Sequence, residues 1–219
     1  MQTQSVLVSF LCLSLCQALA PISKNTRVGQ IEMSPIGCGT WAWGNRFLWG
    51  YSKEEDREIQ QAFEYVVKNG VNWFDTADSY GTGTLSGRAE ELLGIFENSL
   101  TPKKKINFCT KLAPYPWRIG KSSMKIACKE SIERLQRPLD VLQLHWPPSL
   151  RWQEEAYLNA FDELVSEKKA LQLGVSNYGP KNLQRIVKRM GDKQNKIKSN
   201  QVELILLHFV RYTYCCWLS

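Results

Sequence analysis

Three short apolar runs in this sequence lead directly into polar residues of different chemistry. The runs and the residues that follow them are 71–74 with Asp75, 106–110 with Lys111, and 141–144 with His145. Tyr80 lies five positions after Asp75. The carboxyl ends of parallel strands meet on one face of a sheet or barrel, and active sites lie on that face. The pattern therefore predicts an enzyme that groups Asp75, Tyr80, Lys111 and His145.

Strand-like runs alternate with amphipathic helices along most of the chain. The predicted strands lie near 35–40, 71–75, 106–111, 141–145, 171–176 and 199–206. The first helix begins with a capping box from Ser52 to Glu55 and stops at Gly70. Apolar residues at helical spacing predict four further helices. They lie after Gly87, in the stretch that ends before Pro138, around Tyr157 and Phe161, and from Pro180 onward. In the last helix, the predicted buried residues are Leu183, Ile186, Val187 and Met190.

Strict β/α alternation implies parallel strands with right-handed crossovers, which fits either a doubly wound sheet or a (β/α)8 barrel. A doubly wound fold usually carries a glycine-rich turn that opens a helix after the first strand. Residues 37–41, GCGTW, do not open a helix, and the glycines from Gly81 to Gly87 have the wrong spacing for a dinucleotide fingerprint. The predicted fold is therefore an α/β TIM-barrel type, incomplete here with about six βα units.

Charge and cysteine content argue against several classes of protein. The net charge of +7 is dispersed apart from 103–105 and 181–198, where a solvated helix face or loop is favoured. No zinc-finger spacing or RNA-binding signature is present, so no nucleic-acid partner is expected. The seven cysteines include no C-x-x-C pair, and neither a metal site nor a disulfide framework is predicted.

The two ends of the chain differ from its middle. Residues 1–20 carry no charge and resemble a targeting leader, with a plastid destination as the first expectation and the secretory pathway or cytoplasm as alternatives. A mispredicted start or a membrane anchor are the other interpretations of this run. No stable membrane contact is expected after leader removal. Residues 207–219 show no helical or strand period, so the predicted barrel domain is 27–206, cut short and followed by an aberrant tail.

The four polar residues have a joint chemistry if they converge. A free phenol has a pKa of about 10 and is a poor proton donor near neutrality, and a lysine ammonium beside it lowers that pKa. Asp75 would keep the lysine charged, and His145 would orient a substrate carbonyl. Such a site suits hydride transfer to an aldehyde or ketone, with a nicotinamide cofactor as the hydride source. Taken singly, each residue more often has a structural role. Asp75 would cap a turn, Tyr80 would be an aromatic residue of a loop, Lys111 would be a solvated strand end, and His145 would be a histidine of the core.

The same residues resemble the catalytic tetrad of the aldo-keto reductases. Four segments match that family in order: GCGTWAWG at 37–44, FDTADSYG at 74–81, QLHWP at 143–147 and GVSNY at 174–178. The resemblance covers roughly 27–206 and implies a (β/α)8 barrel, NADPH as cofactor, and Tyr80 as the proton donor in carbonyl reduction. It also implies that Ser176, Asn177 and Gln201 bind the nicotinamide carboxamide and that Trp41 and Trp146 form walls of the substrate pocket.

The resemblance implies a small carbonyl substrate, with a pyridoxal-like aldehyde as the first candidate. The alternative is a cofactor-binding regulatory protein or an inactive, truncated relative of these reductases. Core packing is an equally good interpretation of Trp146, because large aromatic residues are often mostly buried.

Overall fold

The computed structural model describes residues 26–191, 196–205 and 213–218. The strands are β1 Thr26–Val28, β2 Ile31–Met33, β3 Cys38–Gly39, β4 Trp73–Asp75, β5 Asn107–Leu112, β6 Leu139–Leu144, β7 Ala170–Ser176, β8 Ile197–Ile205 and β9 Thr213–Leu218. The α-helices are α1 Arg46–Trp49, α2 Asp56–Lys68, α3 Arg88–Ser99, α4 Gly120–Leu135, α5 Arg151–Ser166 and α6 Pro180–Arg189. Single 3-10 turns lie at Lys53–Glu55 and Gly83–Leu85. The predicted leader lies outside the described residues, and so do 207–212 and Ser219 of the predicted tail.

Strands β3 to β8 form one parallel sheet in sequence order, with β9 added antiparallel to β8. Helices follow the strands as crossovers, and the sheet curls into a half-barrel. The predicted barrel type and its six strands are confirmed, with strand ends within about three residues of the predicted ones. The absence of a strand from the tail was a wrong prediction, because β9 lies within it and its six residues pair with Asn200–Ile205 of β8.

Most helix boundaries follow the predicted signals, but the predicted start of the first long helix and one predicted core residue were wrong. Helix α2 ends at Lys68 and Gly70 adopts a left-handed φ of 95°, while α3 begins directly after Gly87. The predicted capping box is absent, because the Ser52 side chain makes no cap hydrogen bond and a 3-10 turn separates Ser52 from α2. Val187 was also wrong as a core residue, since it is 50% exposed, whereas Ile186 and Met190 of the same region are buried.

Alternate residues of the strands face two separate cores. Outward residues such as Phe74, Phe108 and Leu142 pack under the helices in the main hydrophobic cluster. Inward residues at the amino ends of the strands meet a hairpin formed by β1 and β2, and this second cluster contains Val28, Ile31, Met33, Trp73, Cys109 and Val141. The hairpin therefore fills the floor of the half-barrel and leaves the carboxyl ends of the strands for chemistry.

A buried carboxylate ties β5 to its two neighbouring helices. Glu90 of α3 is fully buried, accepts a hydrogen bond from the Thr110 hydroxyl and pairs with Arg134 Nε of α4 at 2.7 Å. A buried charge is tolerated only when it is paired and hydrogen-bonded, and Glu90 satisfies both conditions. Because Thr110 immediately precedes Lys111, this network fixes the strand that carries the lysine.

Helices α3 and α4 approach so closely at Gly94 that a side chain has no room there. A Cβ at Gly94 would lie 2.6 Å from the Arg134 carbonyl oxygen and 3.0 Å from the Leu135 carbonyl carbon. We expect Gly94→Ala to destabilise the protein by about 1–3 kcal/mol through overpacking, although alanine is the better helix former. Urea denaturation measures this, with Gly39→Ala as the control because nothing lies within 4 Å of a Cβ there. A stabilising Gly94→Ala would contradict the close packing.

Candidate active site

The loop after β4 is held against the end of β5 by backbone hydrogen bonds. Thr76 N donates to Cys109 O at 2.9 Å, and Asp78 N donates to Lys111 O at 3.0 Å. On the other side of β4, Thr40 N donates to Asp75 O at 3.0 Å. The loop thus continues the parallel ladder past the end of the strand, and this fixes where Asp75 and Tyr80 lie relative to Lys111.

Lys111 is the centre of the polar cluster. Its ammonium nitrogen lies 2.5 Å from Asp75 Oδ1 and 2.9 Å from the Thr76 carbonyl oxygen. The same nitrogen donates to the Tyr80 phenol oxygen at 3.2 Å, and that phenol lies 3.5 Å from Asp75 Oδ2. Lys111 is 2% exposed and Asp75 is 7% exposed, so little water screens these two charges. The three residues therefore act as one electrostatic unit.

Burial alone would disfavour the charged form of Lys111. The Asp75 carboxylate and the Tyr80 oxygen outweigh that desolvation and hold the pKa of Lys111 above its ordinary value. The lysine is therefore a permanent cation at any working pH. A fixed cation beside a phenol oxygen stabilises negative charge that develops on that oxygen.

His145 follows β6 and faces the same cluster. Its backbone N–H donates to Leu112 O at 3.1 Å, and its ring lies edge-on to the Tyr80 ring with centroids 5.9 Å apart. Burial, and next the charge of Lys111, lower the pKa of His145 to about 3. The imidazole is therefore neutral near neutrality and carries a single ring N–H.

This low pKa makes His145 a source of acid sensitivity. Between pH values of about 3 and about 6.5 the unfolded chain binds a proton that native His145 does not, so the free energy of unfolding rises with pH across that window. We expect His145→Gln to remove this part of the rise. Urea denaturation of both forms at about pH 4.5 and about pH 7.5 checks it. An equal gain in stability for the two proteins would contradict a neutral, half-buried His145.

Two further polar residues of the same loops, Asp78 and Ser79, were not predicted as part of the site. Asp78 is buried, accepts hydrogen bonds from Ala113 N at 3.2 Å and 3.4 Å and pairs with Arg118. Burial raises the pKa of Asp78 to about 6, against the opposing charge of Arg118. Ser79 lies 3.4 Å from His145 Nδ1. The signal for these residues was their position, because Asp78 and Ser79 lie between Asp75 and Tyr80 in the sequence.

Ser176, Asn177 and Gln201 come together at the carboxyl end of β7, where Gln201 lies in the middle of the neighbouring strand β8. Ser176 and Gln201 are register partners and are 3% and 4% exposed. Asn177 has a left-handed φ of 60°, and its backbone N–H donates to Gln201 O at 2.8 Å. Its side-chain amide donates to the His145 carbonyl oxygen and to Ser176 Oγ, both at 3.2 Å. These hydroxyl and amide groups therefore lie beside the strand end that carries His145.

The two tryptophans predicted to line a pocket have different surroundings. Trp146 lies next to the cluster, with its ring 4.7 Å from the His145 ring and 6.1 Å from the Tyr115 ring. Trp41 is 53% exposed and meets Trp49 edge-on at 6.2 Å. Tyr115 also stacks on Trp117 at 4.5 Å. An aromatic surface thus adjoins His145 through Trp146 and Tyr115.

The arrangement combines a fixed cation, a phenol, a neutral imidazole and a group of amide and hydroxyl donors. A phenol held against an ammonium can give a proton to an adjacent oxygen while the cation stabilises the charge left behind. A neutral imidazole can donate or accept one hydrogen bond without adding charge. This chemistry is suited to the polarisation and protonation of a carbonyl oxygen.

Comparison with known proteins gives consistent matches. The family model described as "Aldo/keto reductase family" matches residues 35–213. The chain is 41% identical over 191 residues to "Pyridoxal reductase, chloroplastic" of Arabidopsis thaliana, covering 84% of this chain and 52% of that protein. It is 30% identical over 156 residues to aldo-keto reductase YhdN of Bacillus subtilis, covering 68% of this chain and 44% of that protein.

Among solved structures, the fold is similar to an aldo/keto reductase from Klebsiella pneumoniae in complex with NADP and acetate. The TM-score is 0.63 at 30% identity, over 74% of this chain and 53% of that one. The chain therefore spans about half the length of the curated relatives that it matches. Within the described residues, no helix has both the length and the apolar character needed to cross a membrane.

Proposed function

The chain belongs to the aldo/keto reductase family, and from that premise we propose that it reduces a small aldehyde or ketone to the alcohol with NADPH. The observation that supports this most directly is the buried Lys111 ammonium, which donates to both Asp75 and the Tyr80 phenol oxygen. This reaction needs a proton beside a reacting oxygen and a cation to stabilise the charge left on the donor. The cluster supplies both.

The proposed roles follow from the distances. Tyr80 gives its proton to the carbonyl oxygen, and Lys111 stabilises the phenolate that remains. Asp75, at 2.5 Å from the lysine nitrogen, keeps Lys111 charged and positioned. His145, neutral because its pKa lies at about 3, hydrogen-bonds the substrate oxygen without competing for the proton.

The residues present fit a nicotinamide carboxamide. A carboxamide offers two N–H donors and one carbonyl acceptor, and it needs partners of both kinds. The Ser176 hydroxyl and the Asn177 and Gln201 amides provide donors and acceptors within one short segment of two paired strands. When bound, NADPH supplies the hydride that the protein itself lacks. These donors lie next to the strand end that carries His145, and this position supports binding of the nicotinamide ring close to Tyr80.

An aromatic aldehyde is the substrate class that we favour. Flat apolar ligands are bound by aromatic side chains, with a few polar groups to fix their orientation. Trp146 and Tyr115 supply such surfaces beside His145, and Trp41, which meets Trp49 edge-on, is the second wall that we propose. A plant relative carries the name pyridoxal reductase, and pyridoxal is a planar aromatic aldehyde. We therefore propose pyridoxal as the first substrate to test.

We also propose that residues 27–206 form the reductase domain and that residues 1–20 direct the chain to a plastid. The chloroplastic name of the Arabidopsis relative and the uncharged run at 1–20 support this location. Imaging of the chain with a fluorescent protein at its carboxyl end, with and without residues 1–20, tests the proposed leader. A plastid signal that persists without those residues would contradict it.

Turnover by the purified chain tests the reaction. NADPH is mixed with pyridoxal, a simple aromatic aldehyde, a short aliphatic aldehyde or a ketone, and loss of the reduced cofactor is followed together with alcohol formation. We expect turnover, fastest with the aromatic aldehydes. Saturable NADPH binding without turnover of any carbonyl would contradict the proposed reaction and favour a protein that only binds the cofactor.

A further inference from the structure

The loop that follows β5, residues 113–118, is tied to the loop that follows β4 by one ion pair. Asp78 lies in the β4 loop, where its buried carboxylate pairs with Arg118 Nη1 and accepts from Ala113 N at 3.2 Å and 3.4 Å. Arg118 Nη1 also donates to Ala113 O at 2.7 Å. Asp78 and Arg118 therefore close both ends of the 113–118 loop onto the loop that carries Tyr80.

Further hydrogen bonds hold the backbone of the 113–118 loop. Tyr115 N donates to Ala113 O at 2.9 Å, and Arg118 N donates to Tyr115 O at 2.9 Å. The Tyr157 hydroxyl of α5 donates to Arg118 O. Both the side chain and the backbone of Arg118 are therefore fixed, and the backbone of Tyr115 is bound on both sides within the loop.

The Arg118 guanidinium also contacts the Tyr115 ring, with its carbon 5.1 Å from the ring centre. An arginine within about 6 Å of an aromatic ring centre is attracted to the ring. The Tyr115 ring stacks on Trp117 at 4.5 Å and meets Trp146 edge-on at 6.1 Å. Trp146 in turn lies 4.7 Å from the His145 ring. The ion pair thus reaches the aromatic surface beside His145 through one ring, that of Tyr115.

The directions of its hydrogen bonds explain why a charged pair occupies this place. A buried ion pair adds little net stability, because the desolvation of its charges offsets most of their attraction. A guanidinium has five N–H donors in a rigid plane, so bonds to a carboxylate and to a carbonyl fix its orientation. Arg118 has both acceptors, in Asp78 and in the Ala113 carbonyl oxygen. The pair therefore fixes the side chain that contacts Tyr115 more sharply than apolar packing would.

We propose that Asp78 and Arg118 are positioning residues, which hold the Tyr115 ring in place as part of the wall against which an aromatic aldehyde binds. The inference rests on the proposed function, and it assigns the preference for aromatic over aliphatic carbonyl substrates to this ion pair. Neither residue touches the substrate or the cofactor in this arrangement. Without the pair, the Tyr115 ring is less firmly held, and a flat ligand loses part of one aromatic contact.

The selectivity of turnover measures this role. In Arg118→Met we expect the ratio of kcat/KM for pyridoxal to kcat/KM for propanal to fall about 3- to 10-fold, the usual contribution of one aromatic contact. The change should appear in the KM for pyridoxal and leave its kcat, because the contact between Lys111 and Tyr80 is untouched. Arg118→Lys keeps a cation that can reach the same two acceptors and should restore part of the ratio.

Binding of pyridoxine, the alcohol that reduction of pyridoxal forms, needs no turnover. Calorimetric titration of the full chain in the presence of oxidised NADP gives its Kd, which we expect to rise about 3- to 10-fold in Arg118→Met. A wild-type chain that does not bind pyridoxine, or an equal Kd for the two proteins, would overturn the inference. If Arg118→Met weakens pyridoxine binding as expected but the wild-type chain reduces no carbonyl, the proposed function fails and the role of the ion pair stands.

Arg137→Met is the matched control, because Arg137 pairs with Asp140 and lies 5.2 Å from the Phe108 ring at the amino ends of β5 and β6. It should lower stability and leave the selectivity ratio unchanged. An equal fall in that ratio in Arg137→Met would contradict a specific role for Arg118.

A double variant covers the case in which Arg118→Met does not fold. Arg118→Met with Asp78→Asn leaves no unpaired carboxylate and keeps an amide oxygen that can accept from Ala113 N. We expect it to fold and to show the same lower ratio and the same weaker binding of pyridoxine. A folded double variant with the wild-type ratio and the wild-type Kd for pyridoxine would overturn the inference.

Discussion

Replacement of Tyr80 with phenylalanine is expected to lower kcat for aldehyde reduction by about 10²- to 10⁴-fold, the usual contribution of a positioned general acid. The change removes one oxygen atom, which accepts from Lys111 Nζ at 3.2 Å and lies 3.5 Å from Asp75 Oδ2. The Lys111–Asp75 pair survives, because its 2.5 Å contact does not involve the phenol. The Kd for NADPH should therefore change by less than about threefold, since the proposed carboxamide partners lie on other strands.

Steady-state kinetics and cofactor titration of the same preparations measure the two effects. Tyr65→Phe is the matched control, because Tyr65 is 48% exposed on α2 and lies outside the cluster. It loses the same atom and should keep full activity. Retained turnover in Tyr80→Phe would remove Tyr80 as the proton donor.

Replacement of Lys111 with methionine is expected to affect stability and activity together. The ammonium is 2% exposed and has three hydrogen-bond acceptors, and methionine leaves the buried Asp75 carboxylate without its cation. Removing one partner of a buried ion pair costs about 3–5 kcal/mol of unfolding free energy. Activity should also be lost, because no cation then stabilises the phenolate that proton transfer leaves on Tyr80. Urea denaturation and turnover measurements give the two quantities separately.

A double variant distinguishes the cost of the unpaired charge from the loss of the catalytic group. Lys111→Met with Asp75→Leu removes both charges, and apolar replacement of a whole buried pair is often close to neutral for stability. We expect most of the lost unfolding free energy to return while activity stays absent. A double variant as unstable as Lys111→Met would show that the cost does not arise from the unpaired Asp75 carboxylate.

The sequence predicted the fold because the relevant signals are local. Apolar runs and helical spacing are readable within ten to twenty residues, and Gly70, Gly87 and Pro180 mark helix ends through backbone preferences. The grouping of Asp75, Lys111 and His145 followed from one rule, that parallel strands present their carboxyl ends on a common face. The residue pattern did not supply roles for Ser176, Asn177 and Gln201, which came from the family resemblance.

What the sequence did not predict depends on contacts between distant segments. The hairpin strands β1 and β2 are three residues each, too short to show a period, and they are held by burial against Trp73 and Val141. Val187 fits the helical pattern of α6, yet nothing in the described part of the chain covers it fully. The contact between Ser79 and His145 joins two loops that lie far apart in the sequence, and no spacing within one loop encodes it.

Isotope transfer tests the central claim most directly. The purified chain and its Tyr80→Phe variant are each given pyridoxal and NADPH that carries deuterium at the transferable position, and the alcohol is analysed by mass spectrometry and NMR. We predict one deuterium on the carbinol carbon of the product from the wild-type chain, and almost no product from Tyr80→Phe. Equal labelling by both proteins, or bound NADPH with no labelled alcohol from the wild-type chain, would contradict reduction through the Tyr80–Lys111 pair.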